Sequence, residues 1–547
     1  MVLCVRQSHA CLMHPFSVRN IFSFVTRLHD CSKVHGHTIT VARRIQGGKI
    51  YIPFENCIIA LFWHMLSKIN SIPVLALSCR GGIWRRDRME SVWMEDTKIR
   101  RREPLPGNME VPAVVIGAGL AGILTAYYLK QAGIRAIVLE ADRIGSGQTK
   151  NTTAKITSQH SLVYDRIIRM FGRRMAEQYA HANEAAIVEY ERLILEKGIH
   201  CDFVRHPAYL YSQTGTELLK REAEAAEMLG IKASFGTECE LPFPVAGVAK
   251  FESQASFHPL QFLAEIAEEV EVYEQTKVLK VDGKRVETAG GSVTAEHIVF
   301  ASHFPFINVP GYYFARMHQE RSYVIALEGA ERPEGMYLGI DRDGLSFRTC
   351  GELLLLGGGS HRTGVNKGNR AGTCGYGALR DKAQEIYPGC REKFQWSAQD
   401  CMTLDGVPYI GRFSRRKPGW YVATGFEKWG MTTAMVSARI LTALISGQDC
   451  PEADIFSPQR HFTAQATKEL AVHGAYTVKG LAKHFLPWGN GSIVPNCPHM
   501  GCRLEWNPDE ESYDCPCHGS RFDREGHLMD GPAQTDCRSR GKGEKEN

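Results

Sequence analysis

The stretch that decides the fold reads Pro112-Ala-Val-Val-Ile-Gly-Ala-Gly-Leu-Ala-Gly122, a short apolar run that leads directly into three glycines. Behind it, residues 123–132 have helical character, Gly133 ends the helix, and Ala136-Ile-Val-Leu139 is a second apolar run. This order predicts a buried strand, a helix and a second strand. The glycines allow a tight turn and let a pyrophosphate approach the helix N-terminus closely. The segment therefore predicts a dinucleotide-binding βαβ unit.

An acidic residue closes the second predicted strand. Glu140 stands eighteen residues after Gly122, where a carboxylate can bind ribose hydroxyls. The carboxylate argues against a 2′-phosphate and so against NADP at this site. The alternative is a tight glycine turn in an α/β protein that binds no nucleotide. The choice between FAD and NAD depends on the rest of the chain.

Two later segments extend the predicted nucleotide site. A hydroxyl-rich loop follows over residues 145–155, and its groups suit hydrogen bonding to phosphate and ring edges. Late in the chain, Trp420-Tyr-Val-Ala423 predicts a strand that opens into glycines and an apolar helix from Ala434 to Ile445. A second helix N-terminus therefore points at the ligand. The residues expected to bind the cofactor are Gly117, Gly119, Gly122, Glu140, Thr149, Thr153, Gly425, Gly430 and Thr432.

Together these segments resemble the amino-acid-oxidase-like family of FAD-dependent oxidoreductases, from about Met89 to Arg460. The resemblance includes residues 254–259, Asp405-Gly-Val-Pro408 and a predicted strand over residues 298–302. It implies FAD, a Rossmann-like FAD-binding domain with an antiparallel-sheet substrate domain, and a late helix whose dipole faces the flavin pyrimidine ring. It identifies no catalytic residue.

A competing flavoprotein class, the NAD(P)H-dependent disulfide reductases, would need a second dinucleotide fingerprint. One other glycine cluster follows a predicted strand, in residues 353–362, but Arg362 occupies the place of the third glycine. No Cys-x₄-Cys pair accompanies the first fingerprint. We therefore expect a substrate rather than NADH to reduce the flavin. Cys350, His361 and His303 are single candidates for flavin contact, and no covalent link is assigned.

Six cysteines and histidines near the C-terminus form a second motif. Cys497-Pro-His499 and Cys515-Pro-Cys-His518 are separated by fifteen residues, with Cys502 between them. This spacing suits two facing loops that hold a [2Fe-2S] cluster, with two thiolates on one iron and two imidazoles on the other. A tetrahedral zinc site is the alternative. Zinc explains neither the six-residue pattern nor the following Gly519-Ser520.

The pattern resembles the Rieske family type that carries two extra cysteines. The resemblance implies four cluster ligands, Cys497, His499, Cys515 and His518. It also implies a disulfide between Cys502 and Cys517, and a third loop at Gly531-Pro532 that covers the cluster. Oxygenase-type Rieske domains lack the spare pair, and no 2-His-1-carboxylate iron domain accompanies this one.

Length and composition indicate a multi-domain soluble enzyme, since 547 residues exceed what one hydrophobic core usually holds. The expected class is α/β, a flavoprotein with a small all-β Rieske domain added. We expect a flavin domain over 89–460, with FAD-binding parts near 111–160, 270–305 and 400–447. A connector over 461–486 and the Rieske domain over 487–547, with a disordered tail, would follow. Scattered cysteines and the absence of a convincing membrane span favour a cytoplasmic protein.

Residues 1–88 differ from the remainder in charge. They contain 12 Lys and Arg against 3 Asp and Glu, whereas the remainder contains 53 against 57. The overall net charge of +5 therefore comes from this leader and does not indicate a nucleic-acid partner. We expect the leader to be a non-native upstream extension, with Met89 as the native start, or a disordered segment. A mitochondrial-type presequence is the alternative.

The two expected cofactors differ in the number of electrons they carry. A flavin takes up two electrons as a hydride and a [2Fe-2S] cluster takes up one. The fusion predicts a dehydrogenase that oxidises a small amine, amino acid or hydroxy compound and passes electrons singly to an unidentified acceptor, a redox protein or a quinone. A reductase running in the opposite direction and a non-catalytic redox sensor or electron carrier are the alternatives.

Deleting residues 1–88 should leave the FAD and iron content of the purified protein unchanged, because the first dinucleotide strand is expected only from about Val111. Flavin absorbance and iron analysis of the full and shortened chains test this. Loss of soluble protein or of FAD on deletion would show that the leader belongs to the fold.

Overall fold

The computed structural model describes residues 90–365, 375–483 and 493–538. The expectation for the leader 1–88 lies outside these residues, and so does the tail expected after Asp536, apart from Cys537 and Arg538. So does the expected boundary between connector and Rieske domain near residue 487.

The described residues form strands and helices that are numbered here in chain order. The strands are β1 (Met109–Ile116), β2 (Ala136–Leu139), β3 (Lys155–Ile156), β4 (Val204–Ser212), β5 (Ala233–Gly236), β6 (Gly247–Ser256), β7 (Glu271–Tyr273), β8 (Val278–Asp282), β9 (Arg285–Thr288), β10 (Gly291–Phe300), β11 (Met317–Glu328), β12 (Met336–Gly339), β13 (Ser346–Cys350), β14 (Leu353–Arg362), β15 (Arg391–Thr403), β16 (Tyr409–Ser414), β17 (Lys417–Thr424), β18 (Glu505–Asn507), β19 (Ser512–Asp514), β20 (Arg521–Phe522) and β21 (Leu528–Asp530). The helices are α1 (Leu120–Gln131), α2 (Tyr164–Phe171), α3 (Arg173–Lys197), α4 (Glu217–Met228), α5 (Pro259–Ala267), α6 (Tyr313–Arg316), α7 (Gly375–Ile386), α8 (Gly430–Ser446), α9 (Ala453–Phe456) and α10 (Ala464–Ala482).

A first sheet contains the βαβ unit predicted from the glycine fingerprint. Its main path runs β16-β17-β10-β1-β2-β7, and the five strands from β17 to β7 are parallel. Ala113 to Ile116 and all of β2 are buried, as expected for parallel strands covered on both faces. Helices α1 and α8 pack against each other beside this sheet. The expected Rossmann-like FAD-binding domain is confirmed.

A second, nine-stranded sheet forms the substrate domain. Its path is β15-β11-β14-β13-β12-β4-β6-β3, and the pairs are antiparallel except for β4 with β12. The glycine cluster of residues 353–362 lies in β14, a continuous strand between β11 and β13. It is therefore a part of this sheet and not a nucleotide-binding turn. The expected antiparallel substrate sheet is confirmed, with that one parallel pair added.

A third sheet and the helix before it form the C-terminal part. Strands β18 to β21 pair in sequence order and antiparallel, which confirms the expected small all-β domain. Helix α10 fills most of the expected connector and buries Ala466, His473 and Gly480, which are spaced by seven residues. At Gly480 a Cβ atom would lie 2.6 Å from the sulfur of Cys517. The helix can therefore approach the cluster loops closely only because this residue is glycine.

Within the three described ranges, no helix has both the length and the apolar character that crossing a membrane requires.

Substituting Gly480 by alanine should destabilise the C-terminal domain by about 1–3 kcal/mol, because the added methyl group overlaps the Cys517 sulfur. Gly474 in the same helix is the matched control, since a Cβ atom there meets nothing within 4 Å. Gly474→Ala should leave stability unchanged or raise it by about 0.5–1 kcal/mol. Thermal unfolding followed by the loss of cluster absorbance measures both, and equal effects of the two changes would contradict the close contact.

Candidate cofactor sites

The glycine turn after β1 forms a cradle that side chains would fill. Gly117 adopts φ +108°, and a Cβ atom there would lie 2.6 Å from the carbonyl oxygen of Ala301. A Cβ atom on Gly122 would lie 1.9 Å from the carbonyl oxygen of Gly117. Helix α1 begins after Gly119 without a side-chain cap from that residue. The turn therefore presents a helix N-terminus to an anionic ligand at close range.

Glu140 is held at the end of β2 by two backbone donors. Its carboxylate accepts hydrogen bonds from the backbone N–H of Ala118 at 2.7 Å and of Asp142 at 2.8 Å. Burial raises the pKa of Glu140. A carboxylate accepts more than two hydrogen bonds, so lone pairs are left for the ribose hydroxyls of a dinucleotide.

Seven of the nine residues expected to bind the cofactor line one cavity of about 1340 Å³. Gly122 packs beneath the turn, and Thr432 uses its hydroxyl to bind the backbone N–H and carbonyl of Thr157 at 2.9 and 2.8 Å. Thr149 lines the cavity while its hydroxyl accepts from the N–H of Leu120 at 3.0 Å. His303 also lines it, whereas Cys350 and His361 are not among its lining residues.

The cavity extends beyond the cradle to the second sheet, where Tyr323, Ser346 and Gly357 line it. A cavity of this size exceeds what most small ligands fill, so it fits a dinucleotide and leaves room for a small substrate. Both the glycine cradle and the cavity therefore fit FAD.

Four lysines line the cavity, and sequence reasoning selected none of them as site residues. Two of them, Lys428 and Lys155, lie deep among groups of the second sheet. Lys428 Nζ lies 2.8 Å from Ser360 Oγ, 3.2 Å from Glu320 and 3.7 Å from Asp400. These carboxylates raise the pKa of Lys428, although burial opposes them, and burial raises the pKa of Asp400 to about 6.

Lys155 has very different neighbours. Its Nζ atom contacts the carbonyl oxygen of Tyr337 at 3.2 Å and Ser346 Oγ at 2.8 Å. Burial, and then the charge of Arg348, lowers the pKa of Lys155 to about 7. Its partners lie more than 180 positions away in sequence, so no local pattern could have identified this environment.

The cysteine and histidine motif brings four donors together in the third sheet's loops. The buried thiols of Cys497 and Cys515 lie within hydrogen-bonding reach of each other. The rings of His499 and His518 stand 5.0 Å apart and nearly perpendicular, and the buried Nδ1 atom of each has no hydrogen-bond partner among the described residues. Two thiols and two unsatisfied imidazole nitrogens fit the ligand set of a [2Fe-2S] cluster.

The two remaining cysteines are joined. A disulfide links Cys502 to Cys517, and it ties the first cluster loop to the second. The sulfurs of Cys502, Cys515 and Cys517 also lie within 4.8 Å of one another. That group does not suit zinc, because two of its sulfurs are in the disulfide and are not thiolates.

The histidine face of the cluster loops lies against the flavin domain. His499 Nε2 is 2.9 Å from the amide oxygen of Asn308, and the ring of Phe314 lies 5.8 Å from that of His518. Gln319 Nε2 donates to the carbonyl oxygens of His518 at 2.8 Å and Gly531 at 2.9 Å.

A second glutamine completes this attachment. Gln399 Nε2 donates to the carbonyl oxygen of Gly519 at 2.8 Å and to Gln319 Oε1 at 2.7 Å. Both glutamines are 1% exposed, so water does not compete for these bonds. Neither residue had a signal in the sequence, because a glutamine in a strand is ordinary until its partner is known.

The expected third loop at Gly531-Pro532 forms part of the cavity wall together with β21 before it, and residues 528–534 are called the third loop from here on. Asp530, Gly531 and Gln534 line the same cavity as the glycine cradle. Lys277 Nζ donates to the carbonyl oxygen of Gln534 at 2.7 Å. The cluster domain therefore borders the space that fits the dinucleotide.

Comparison with protein families gives two matches in this chain. The model of the FAD dependent oxidoreductases matches residues 113–444, and the model of the Rieske [2Fe-2S] domain matches residues 491–540. Together they cover both of the sites described above.

Known relatives agree with this division. A Bacillus subtilis protein described as a putative Rieske 2Fe-2S iron-sulfur protein, YhfW, is 34% identical over 81% of this chain and 96% of its own length. Glycine oxidase from Geobacillus kaustophilus has a TM-score of 0.54 at 18% identity, covering 64% of this chain and 99% of its own. L-proline dehydrogenase from P. horikoshii has a TM-score of 0.53 at 19% identity, with coverage of 65% and 98%. At these identities the two structures establish the fold alone.

Removing the hydroxyl of Ser520 should lower the reduction potential of the cluster site by roughly tens of millivolts, since a neutral hydrogen bond is worth about 1 kcal/mol. Ser520 bonds the sulfur of Cys497, and such donors stabilise the extra charge of a reduced cluster. Phe522, which is fully buried beside this sulfur-rich core, offers no donor, and Phe522→Tyr should raise the potential.

Redox titration of the full chain, followed by visible absorbance, measures both variants of this pair. An unchanged potential in Ser520→Ala and in Phe522→Tyr would mean that solvent exposure, rather than these donors, sets the value.

Proposed function

The chain belongs to the FAD dependent oxidoreductase family and carries a Rieske [2Fe-2S] domain, and from this premise we propose that it is a dehydrogenase. It would oxidise a small amine, amino acid or hydroxy compound beside FAD and pass the electrons singly through the cluster to an acceptor. When bound, FAD supplies a two-electron acceptor and the cluster a one-electron carrier.

One observation carries this proposal. The third loop of the Rieske domain and the glycine cradle line the same cavity, so the two cofactor sites are neighbours. Gln319 joins them further, because its amide binds both the third loop at Gly531 and the cluster loop at His518. Electron transfer weakens steeply with distance, so neighbouring sites support direct transfer between a flavin and the cluster.

The residues around the cluster also limit where an acceptor can approach. Asn308 and Phe314 cover the face of His499 and His518 that points at the flavin domain. Met500, which follows His499, is 37% exposed. We infer that a redox protein or a quinone takes electrons from the Met500 side.

The cavity favours an enzyme over a redox sensor. A sensor would need a flavin site closed to small molecules, whereas this cavity continues past the cradle to Ser346 and Asp341 of the substrate domain. The solved neighbours are named for glycine and L-proline, but their low identity keeps the substrate class a proposal here. The direction of electron flow is likewise part of the proposal.

An anaerobic screen of amines, amino acids and hydroxy acids tests the function. A substrate should bleach the flavin absorbance first and then give the paramagnetic signal of a singly reduced cluster. A protein in which no candidate bleaches the flavin, while reduced cluster delivers electrons to it, would be a reductase instead.

The route through Gln319 is testable in the same experiment. Gln319→Leu removes both amide donors to the cluster loops, so reduction of the cluster should slow at least about ten-fold while reduction of the flavin keeps its rate. Gln465→Leu, an exposed change on α10, is the control. Equal rates of cluster reduction in Gln319→Leu and the control would exclude this route.

A further inference from the structure

Lys155 and Lys428 line the cavity with opposite surroundings. The other two lysines that line it are engaged, because Lys277 donates to the carbonyl oxygen of Gln534 and Lys382 pairs with Glu385. Lys428 lies among Glu320, Asp400 and Ser360, which hold it as an ammonium ion. Among the described residues, no carboxylate lies within ion-pairing distance of Lys155 Nζ. The charge that acts on Lys155 is the guanidinium of Arg348, which disfavours a second positive charge beside it.

The other charged groups of the packed elements do not reverse this balance. Asp202 and Cys350 act on Arg348, not on Lys155. Glu240 binds the Tyr337 hydroxyl, whereas Lys155 contacts the Tyr337 carbonyl. Burial and Arg348 together lower the pKa of Lys155 to about 7, which agrees with the geometry.

The contacts of Lys155 orient its lone pair. An uncharged amine has two N–H groups and one lone pair. The carbonyl of Tyr337 and the hydroxyl of Ser346 can accept both N–H groups, at 3.2 and 2.8 Å. The lone pair is then left for the cavity that Lys155 lines.

Resting on the proposed function, we propose that Lys155 is the general base that deprotonates the substrate before its C–H bond is oxidised. An ammonium substrate has no lone pair from which a C=N bond can form. The N–H proton passes to Nζ, which becomes an ammonium. The C–H hydrogen then leaves with both bonding electrons to FAD, and the nitrogen lone pair forms C=N. For a hydroxy substrate the O–H proton takes the same path and the product is a carbonyl.

Three other titratable groups of the cavity are already engaged, whereas His303, which also lines it, has no hydrogen-bond partner at Nε2 among the described residues. Both ring nitrogens of His160 are bound, to Tyr179 Oη and the Thr157 carbonyl, each at 2.6 Å. Asp400 is held near the Lys428 ammonium. Glu427 accepts from the backbone N–H and the hydroxyl of Thr403. Lys155 thus combines access to the cavity with an uncommitted lone pair.

The test uses the full chain with both cofactors bound. It is mixed anaerobically, from pH 5.5 to 10, with the amine that bleaches the flavin absorbance most strongly. In the wild type the rate of flavin reduction should rise through about pH 7 and then level, because a base works when unprotonated. The midpoint of this rise in rate should stay at the same pH for two amines of different pKa. A midpoint that shifts with the pKa of the substrate would overturn the proposal from the wild-type data alone.

Variants separate a base from a positive charge. Lys155→Met should slow reduction at pH 7 by about a hundred-fold, as removal of a general base commonly does. Its rate should recover as the pH nears the substrate's pKa, where the neutral amine forms unaided. Lys155→Arg should behave like Lys155→Met, since a guanidinium stays protonated. Lys280→Met, on the exposed part of β8, is the control.

The outcomes distinguish the two proposals. Wild-type rates in Lys155→Arg, or no recovery of Lys155→Met at high pH, would overturn the role of Lys155 while bleaching still supports the dehydrogenase. A protein that no amine or hydroxy compound bleaches would overturn the proposed function itself. FAD and iron content, measured in every variant, show that a slow variant is still assembled.

Discussion

Two buried glutamine side chains hold the cluster loops to the substrate sheet, and the arrangement of both cofactor sites depends on them. Gln319 and Gln399 bind each other and together bind three loop carbonyls. Arg321 donates in turn to Gln399 Oε1. Removing one member would leave buried carbonyls unpaired, at a cost of about 1–3 kcal/mol each. Because the amide groups of both glutamines are paired, they hold one position of the cluster loops against the flavin cavity.

The features that the sequence predicted well are local ones. The βαβ unit from Pro112 to Leu139 is encoded in one run of residues, so its strands and helix were expected within a few residues of their observed limits. The late helix begins at Gly430, four residues before the expected Ala434, because the polar residues Thr432 and Thr433 also belong to its first turn. The cluster motif is equally compact. Fold class and both cofactors are confirmed, whereas the domain limits and the roles of individual site residues stay predictions.

The features that the sequence could not predict depend on residues far apart in the chain. Lys155 and Lys428 are the same residue type in one cavity, yet their neighbours give them opposite tendencies to carry charge. Those neighbours lie on strands of the second sheet, and pairing of such strands is not encoded locally. The parallel pairing of β4 with β12 could not be predicted either, because these strands are far apart in the chain. Composition and motif spacing indicate which cofactors are present, and tertiary contacts decide which side chains can act on the substrate.

The third loop makes one cavity depend on two parts of the chain that are far apart in sequence. The glycine cradle is made early in synthesis, but residues 528–534, which complete the cavity wall, leave the ribosome some four hundred positions later. Asn308 and Phe314 cover one face of His499 and His518 in the same way. The space that fits the dinucleotide is therefore complete only when the last part of the chain has folded against the first.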